Sequence, residues 1–152
     1  MVSAPQAARQ HPARANVMRL RHEAVAVGAA RRWVRSELAE AGVRDGVLDD
    51  VEVVVSELMG NSVRHARAIA GGVLLVGWRV DGGEVSVRIT DGGSHKQVEP
   101  RDVDPMADGG RGLRIVERLA RQWGVTEHAG ALRTVWAVLP QHERTPALRL
   151  VR

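Results

Sequence analysis

Three short segments of this 152-residue chain combine residue types that could do chemistry. The first holds Glu57 and Asn61, within SELMGNSVRH (56–65). Residues four apart on a helix point the same way, one turn from each other, and His65 continues the row. A carboxylate and a carboxamide so aligned can orient a nucleophile and offer an oxygen to Mg²⁺, which takes few protein ligands and fills the rest with waters and phosphates. Taken alone, such a pair is more often two solvated residues on an amphipathic helix. The second segment is Asp91-Gly92-Gly93, directly after a strand pattern. A carboxylate at a strand end can accept a hydrogen bond from an exocyclic amine such as that of adenine, and two glycines let the backbone pass close to a flat ring. By itself the segment is also a common turn. The third is Gly109-Gly110-Arg111-Gly112-Leu113, leading into a helical pattern. Glycines ahead of a helix expose backbone N–H groups, and the helix dipole favours anions, so a phosphate fits there; a plain hinge would read the same. Gly110-x-Gly112 is not a dinucleotide fingerprint, and no Gly-x-x-x-x-Gly-Lys loop exists.

The elements that must position these segments follow from the hydrophobic pattern. Val17–Leu20 reads as a short edge strand. Glu23–Ala41 is helical, with Val27, Ala30, Val34 and Leu38 at three- and four-residue steps and Gly42 as terminator. Asp45-Gly46 opens a second helix, marked by Leu48, Val51, Val54, Val55 and Leu58 and expected to run to about Ala68, where Gly71-Gly72 breaks it. Strands follow at Val73–Val80 and Glu84–Thr90, joined by the turn Asp81-Gly82-Gly83. After Thr90 regularity stops for about twenty residues, a length that suggests a functional lid or disorder. Leu113, Val116, Leu119 and Ala120 predict a third helix starting just after Gly112, and a final strand pair is expected at Val125–His128 and Leu132–Leu139. The expected fold is α+β: a two-layer α/β sandwich whose mostly antiparallel, mixed sheet is covered on one face by three helices. Residues 1–16 read as a disordered basic tail, 17–140 as the domain and 141–152 as a basic C-terminal tail.

Composition narrows the function. The length suits one domain with a proper core. No stretch approaches the roughly 18–20 apolar residues of a membrane helix, no export signal is evident at the N-terminus, and cysteine is absent. A cytoplasmic protein without disulfides or thiolate zinc sites is expected. The pI near 11 points toward nucleic acid, but the charge sits in the tails: residues 1–22 carry a net +4, 141–152 a net +2, and 23–140 a net −2. Phosphate-backbone binding needs a clustered basic face, which the central region lacks, so no direct nucleic-acid partner is expected.

The order of the signals is more telling than any one of them. A helix with Glu-x-x-x-Asn, a hairpin, a strand ending in Asp-x-Gly, a long loop, then Gly-x-Gly into a helix resembles the GHKL ATP-binding family, which includes gyrase, MutL and the histidine kinases. Within it, the small stand-alone serine kinases that act as anti-sigma factors look most similar. SELMGNSVRH (56–65), TDGG (90–93), GGRGLRIVERL (109–119) and RTVWAV (133–138) carry the likeness. The resemblance implies the Bergerat fold with ATP and Mg²⁺ bound. Asn61 would coordinate the metal and Glu57 would act as general base. Asp91 would bind the adenine amine, with Gly93 allowing the bend beneath the ring. Gly110 and Gly112 would cradle the phosphates, beside Arg111 and Leu113 of the same segment. Thr134 would help hold adenine through water, and His65 would lie near the phosphates or pack as a hydrogen-bonded histidine.

Two positions depart from the family pattern. His95 stands where a further glycine is common, and Asp108 stands where the kinase branch places an arginine, leaving Arg111 inside the glycine segment. The resemblance implies an anti-sigma serine/threonine protein kinase that binds a sigma factor, phosphorylates an anti-sigma-factor antagonist, and forms a possible homodimer. The absence of an attached phosphoacceptor or sensor module accords with the stand-alone type. The alternative is a non-catalytic ATP-dependent module in which ATP orders the lid and sets partner affinity; a nucleic-acid-binding role rests on tail charge alone.

Overall fold

The computed structural model describes residues 12–94 and 110–141. Within them lie β1 (Arg14–Arg21), α1 (Ala26–Glu40), α2 (Asp45–His65), β2 (Val73–Asp81), β3 (Glu84–Asp91), α3 (Gly110–Leu119), β4 (Gln122–Glu127) and β5 (Arg133–Pro140). The strands form one sheet in the order β1-β2-β3-β5-β4. Every pairing among the described strands is antiparallel, in keeping with the mostly antiparallel sheet expected. The α+β layering is as expected. One face of the sheet meets the helices, α1 lying on β1 and β2, α2 on β3 and β5, and α3 against α2 and β4.

Alternation along the strands decides what enters the core. Leu74, Val76, Trp78 and Val80 of β2 are buried, as are Val85, Val87 and Ile89 of β3 and Val135, Ala137 and Leu139 of β5. The next residue along each strand points to the other face. From α2, Leu48, Val51, Val54, Val55, Leu58 and Met59 fill the opposing layer and are almost fully buried. With neither Phe nor Tyr in the chain, the core is built from aliphatic side chains, and each removed methylene leaves space that no large ring can close.

The boundaries have local causes. α1 ends in a Schellman motif, with Val43 N–H donating to Leu38 O and Gly42 N–H to Ala39 O, both at 3.0 Å. Gly42 takes φ of +86°, the left-handed cap that glycine adopts freely. Arg35 ties α1 to α2 through Asp49 (2.8 Å) and Glu52 (2.7 Å); the hydrogen bond to Asp49, then the pairing with Glu52, holds the guanidinium above its ordinary pKa. Gly82 and Gly83 both have positive φ and close the two-residue turn between β2 and β3, as expected.

Several limits differ from the sequence reading, among them three next to the site and the N-terminal edge. β1 begins at Arg14, taking three residues from the segment expected to be tail, because Arg14, Ala15 and Asn16 pair with Val80, Arg79 and Trp78. α2 ends at His65 rather than near Ala68, since Ala66 turns to an extended conformation and bridges Ser94. α3 starts at Gly110, not after Gly112, so its two glycines belong to the helix. Most of the expected lid (residues 95–109), most of the N-terminal tail (1–11) and all of the expected C-terminal tail, 141–152, but Gln141 lie outside the described residues.

Candidate functional site

The site forms where the end of α2 meets the end of β3. Beyond His65 the chain runs extended, and Gly92 N–H donates to Arg67 O (2.7 Å) while Arg67 N–H donates to Gly93 O (2.9 Å). Only glycine permits this contact. A Cβ on Gly92 would lie 2.3 Å from Ala68 O, and one on Gly93 would lie 2.7 Å from Ala131 O. Gly93 also has φ of +81°. The glycine pair is therefore a close backbone passage between α2, β3 and the approach to β5, not a free turn.

Asp91 occupies the centre of this corner and is fully buried. Its Oδ1 accepts from Gly93 N–H at 2.9 Å. Its Oδ2 accepts from Ser62 Oγ at 2.8 Å and from the Arg133 guanidinium at 3.2 Å. Ser62 follows Asn61 directly, so the helix bearing Glu57 and Asn61 is clamped to the strand end bearing Asp91. A buried carboxylate is tolerable here because hydrogen bonds and a counter-charge replace its hydration. His22 adds a further tie, its Nε2 lying 3.0 Å from Ser62 O.

Glu57 and Asn61 are half-buried, and His65 is exposed at the end of the same row. The first turn of α3 abuts this face: a Cβ on Gly112 would stand 2.3 Å from Glu57 Oε2. The carboxylate thus sits against the N-terminal turn of α3, where unsatisfied N–H groups and the helix dipole favour negative charge. Arg111 is exposed. Leu113 is half-buried and packs on the core, which makes it the anchor of α3.

Thr134 requires a correction. It is the cross-strand partner of Thr90, one residue from the Asp91–Arg133 pair, so its side chain points to the face away from the helices. There Thr90 and Thr134 hydroxyls are 2.7 Å apart, and His128 Nε2 lies 2.9 Å from Thr134 Oγ1. These residues line a groove of about 350 Å³ with Ser86, Arg88 and Trp136. Thr134 therefore does not join Asp91. The residue facing Asp91 is Arg133, which the sequence reading did not single out, although counting back from Leu139, Ala137 and Val135 by twos puts 133 on the inner face.

The model of the histidine kinase-like ATPase domain matches residues 20–139, and the chain belongs to this family. No curated protein matches it. Among solved structures, its fold matches that of the crystal structure of the RsbU and RsbW domains of Rv1364c from Mycobacterium tuberculosis, with a TM-score of 0.62 and 21% identity over 84% of this chain. The match spans 32% of that longer chain. No helix among the described residues is long and apolar enough to cross a membrane.

Membership of an ATPase family makes ATP the relevant ligand. Asp91 Oδ1 keeps an acceptor position beyond its bond from Gly93. At Gly92 and Gly93 the backbone passes too close to Ala68 O and Ala131 O for any side chain. Asn61 and Glu57 carry side-chain oxygens on the face of α2 next to this corner. No group of three His, Cys, Asp or Glu side chains forms a metal cluster among the described residues.

Proposed function

We propose that the chain is an anti-sigma-type serine/threonine protein kinase that binds Mg-ATP at this corner and phosphorylates a serine on an anti-sigma-factor antagonist. The observation that carries the reading is the Ser62–Asp91 hydrogen bond, which clamps the Glu57/Asn61 face to the Asp-Gly-Gly corner while the α3 N-terminus abuts Glu57. Asp91 accepts the adenine amine, and Gly93, with its positive φ, allows the backbone bend beneath the ring. Asn61 offers its carboxamide oxygen to Mg²⁺, which neutralises phosphate charge when bound. Gly110 and Gly112 present backbone N–H groups to the phosphates from the first turn of α3, with Arg111 and His65 at the margin. Glu57 takes the proton of the attacking serine hydroxyl. Transfer then rests on positioning and charge neutralisation.

The partners of this reading are a sigma factor and its antagonist, in a cytoplasmic setting and with a homodimer as the working assembly. A second reading, an ATP-dependent binding module without transfer, draws support from Arg111, the arginine of the glycine segment, being exposed. Incubation with labelled ATP and candidate antagonists separates the two. Under the kinase reading Glu57→Gln lowers transfer by roughly 10²–10⁴-fold with nucleotide affinity retained. If ATP alters partner affinity and no antagonist is ever labelled, the module reading replaces it. Calorimetry should give Mg-ATP binding in the micromolar range, about −8 kcal/mol; no binding at all would sink both.

A further inference from the structure

We propose that Arg133 is a base-recognition residue of the ATP site, presenting its Nε–H to the ring nitrogen beside the adenine amine; this rests on the ATP-binding reading above. Arg133 is 4% exposed, yet only the terminal nitrogen facing Asp91 has its partner on that carboxylate, at 3.2 Å. Its Nε is buried and has no hydrogen-bond partner among the described residues. Buried guanidinium donors are normally satisfied, so an orphan of this kind calls for an explanation. Nε and the paired nitrogen share one carbon, which keeps the orphan donor beside the Asp91 carboxylate.

The other half of the pattern lies on Asp91. Among the described residues, Oδ2 accepts from Ser62 and Arg133, and Oδ1 from Gly93 N–H. A carboxylate oxygen has two lone pairs, so Oδ1 retains one acceptor position. The corner therefore offers a spare acceptor beside a spare donor. Adenine presents the complement on its pairing edge, an amine donor next to the N1 acceptor. Guanine presents a carbonyl acceptor and two N–H donors there, and its N1–H would meet the Arg133 donor head on. A lone carboxylate would accept from guanine N1–H and its amine as readily as from adenine. Arg133 supplies the discrimination, by leaving a buried donor unpaired when the wrong base enters.

The test pairs a ligand change with a protein change. ATP, 1-deaza-ATP (N1 replaced by C–H) and GTP are titrated calorimetrically into the wild-type chain and into Arg133→Met. The wild type should bind 1-deaza-ATP roughly tenfold more weakly than ATP, and GTP at least about a hundredfold more weakly. In Arg133→Met the ATP/1-deaza-ATP ratio should fall to near one, and GTP discrimination should drop about tenfold or more. Equal wild-type affinity for ATP and 1-deaza-ATP overturns the assignment, and needs no variant to fold. Tighter ATP binding by Arg133→Met overturns it too, since Arg133 would then be a plug on Asp91. If the wild type binds no nucleotide, the ATP reading itself has failed, a result distinct from ATP binding without N1 dependence.

Discussion

Replacing Gly112 by alanine should separate catalytic geometry from stability. Gly112 is the third residue of α3 and lacks the positive φ of the turn glycines. Alanine is favoured over glycine in a helix interior by up to about 1 kcal/mol, so the backbone gains or is unaffected. The new Cβ, however, would lie 2.3 Å from Glu57 Oε2, where ordinary contact begins at 3.4 Å. The carboxylate must therefore retreat by about 1 Å, and a general base displaced that far typically costs about 10²-fold in rate, or about 2.7 kcal/mol of barrier. The assay measures thermal unfolding alongside loss of the labelled γ-phosphoryl group from ATP, to antagonist or to water. The expected result is an unchanged or slightly higher Tm with transfer about a hundredfold slower. Wild-type transfer in a folded Gly112→Ala protein would refute the role of Glu57. So would activity lost only in proportion to lost stability.

Other substitutions probe separate links. Gly92→Ala drives a Cβ into backbone on the Ala68 side (2.3 Å to Ala68 O, 3.0 Å to Arg67 O), so chemical denaturation should show a loss of about 2–3 kcal/mol. Leu58→Ala removes a fully buried side chain between α2 and the sheet and should cost about 2–5 kcal/mol in the same measurement. Thr134→Val deletes the hydroxyl paired with Thr90 and His128. It should cost about 1 kcal/mol of stability and leave ATP affinity within about twofold, because that side chain is on the far face of the sheet from Asp91.

Much of this architecture was legible because the segments obey simple periods. α2 was readable from Asp45 through Leu58 because its buried stripe repeats at three and four residues. The β2–β3 turn was readable because only glycines accept two successive positive φ values there. What escaped was settled by tertiary contact. Ala66–Ala68 continue a helical composition, but backbone hydrogen bonds to Gly92 and Gly93 compete with the helix and win. Gly110 and Gly112 looked like loop residues because glycine disfavours helix; they are helical where the first turn packs on Glu57, and a side chain at 112 would not fit.

The site shows the same division. The order of the motifs singled out Glu57, Asn61 and Asp91 as candidates, and α2 and β3 bring their segments together through Ser62. The exchange of Thr134 for Arg133 is a matter of one residue in a strand, and a single step moves a side chain to the opposite face. A buried arginine also violates the usual expectation that cations stay in water, so composition gave no cue. Its partner Asp91 supplies the reason it is inside.

A crystal structure of the chain with Mg²⁺ and a non-hydrolysable ATP analogue tests the central claim most directly. The account predicts the adenine amine against Asp91, the Asn61 carboxamide toward the metal, and the phosphates at the first turn of α3. A nucleotide lying instead in the outer groove beside Thr134 and Trp136 would contradict it.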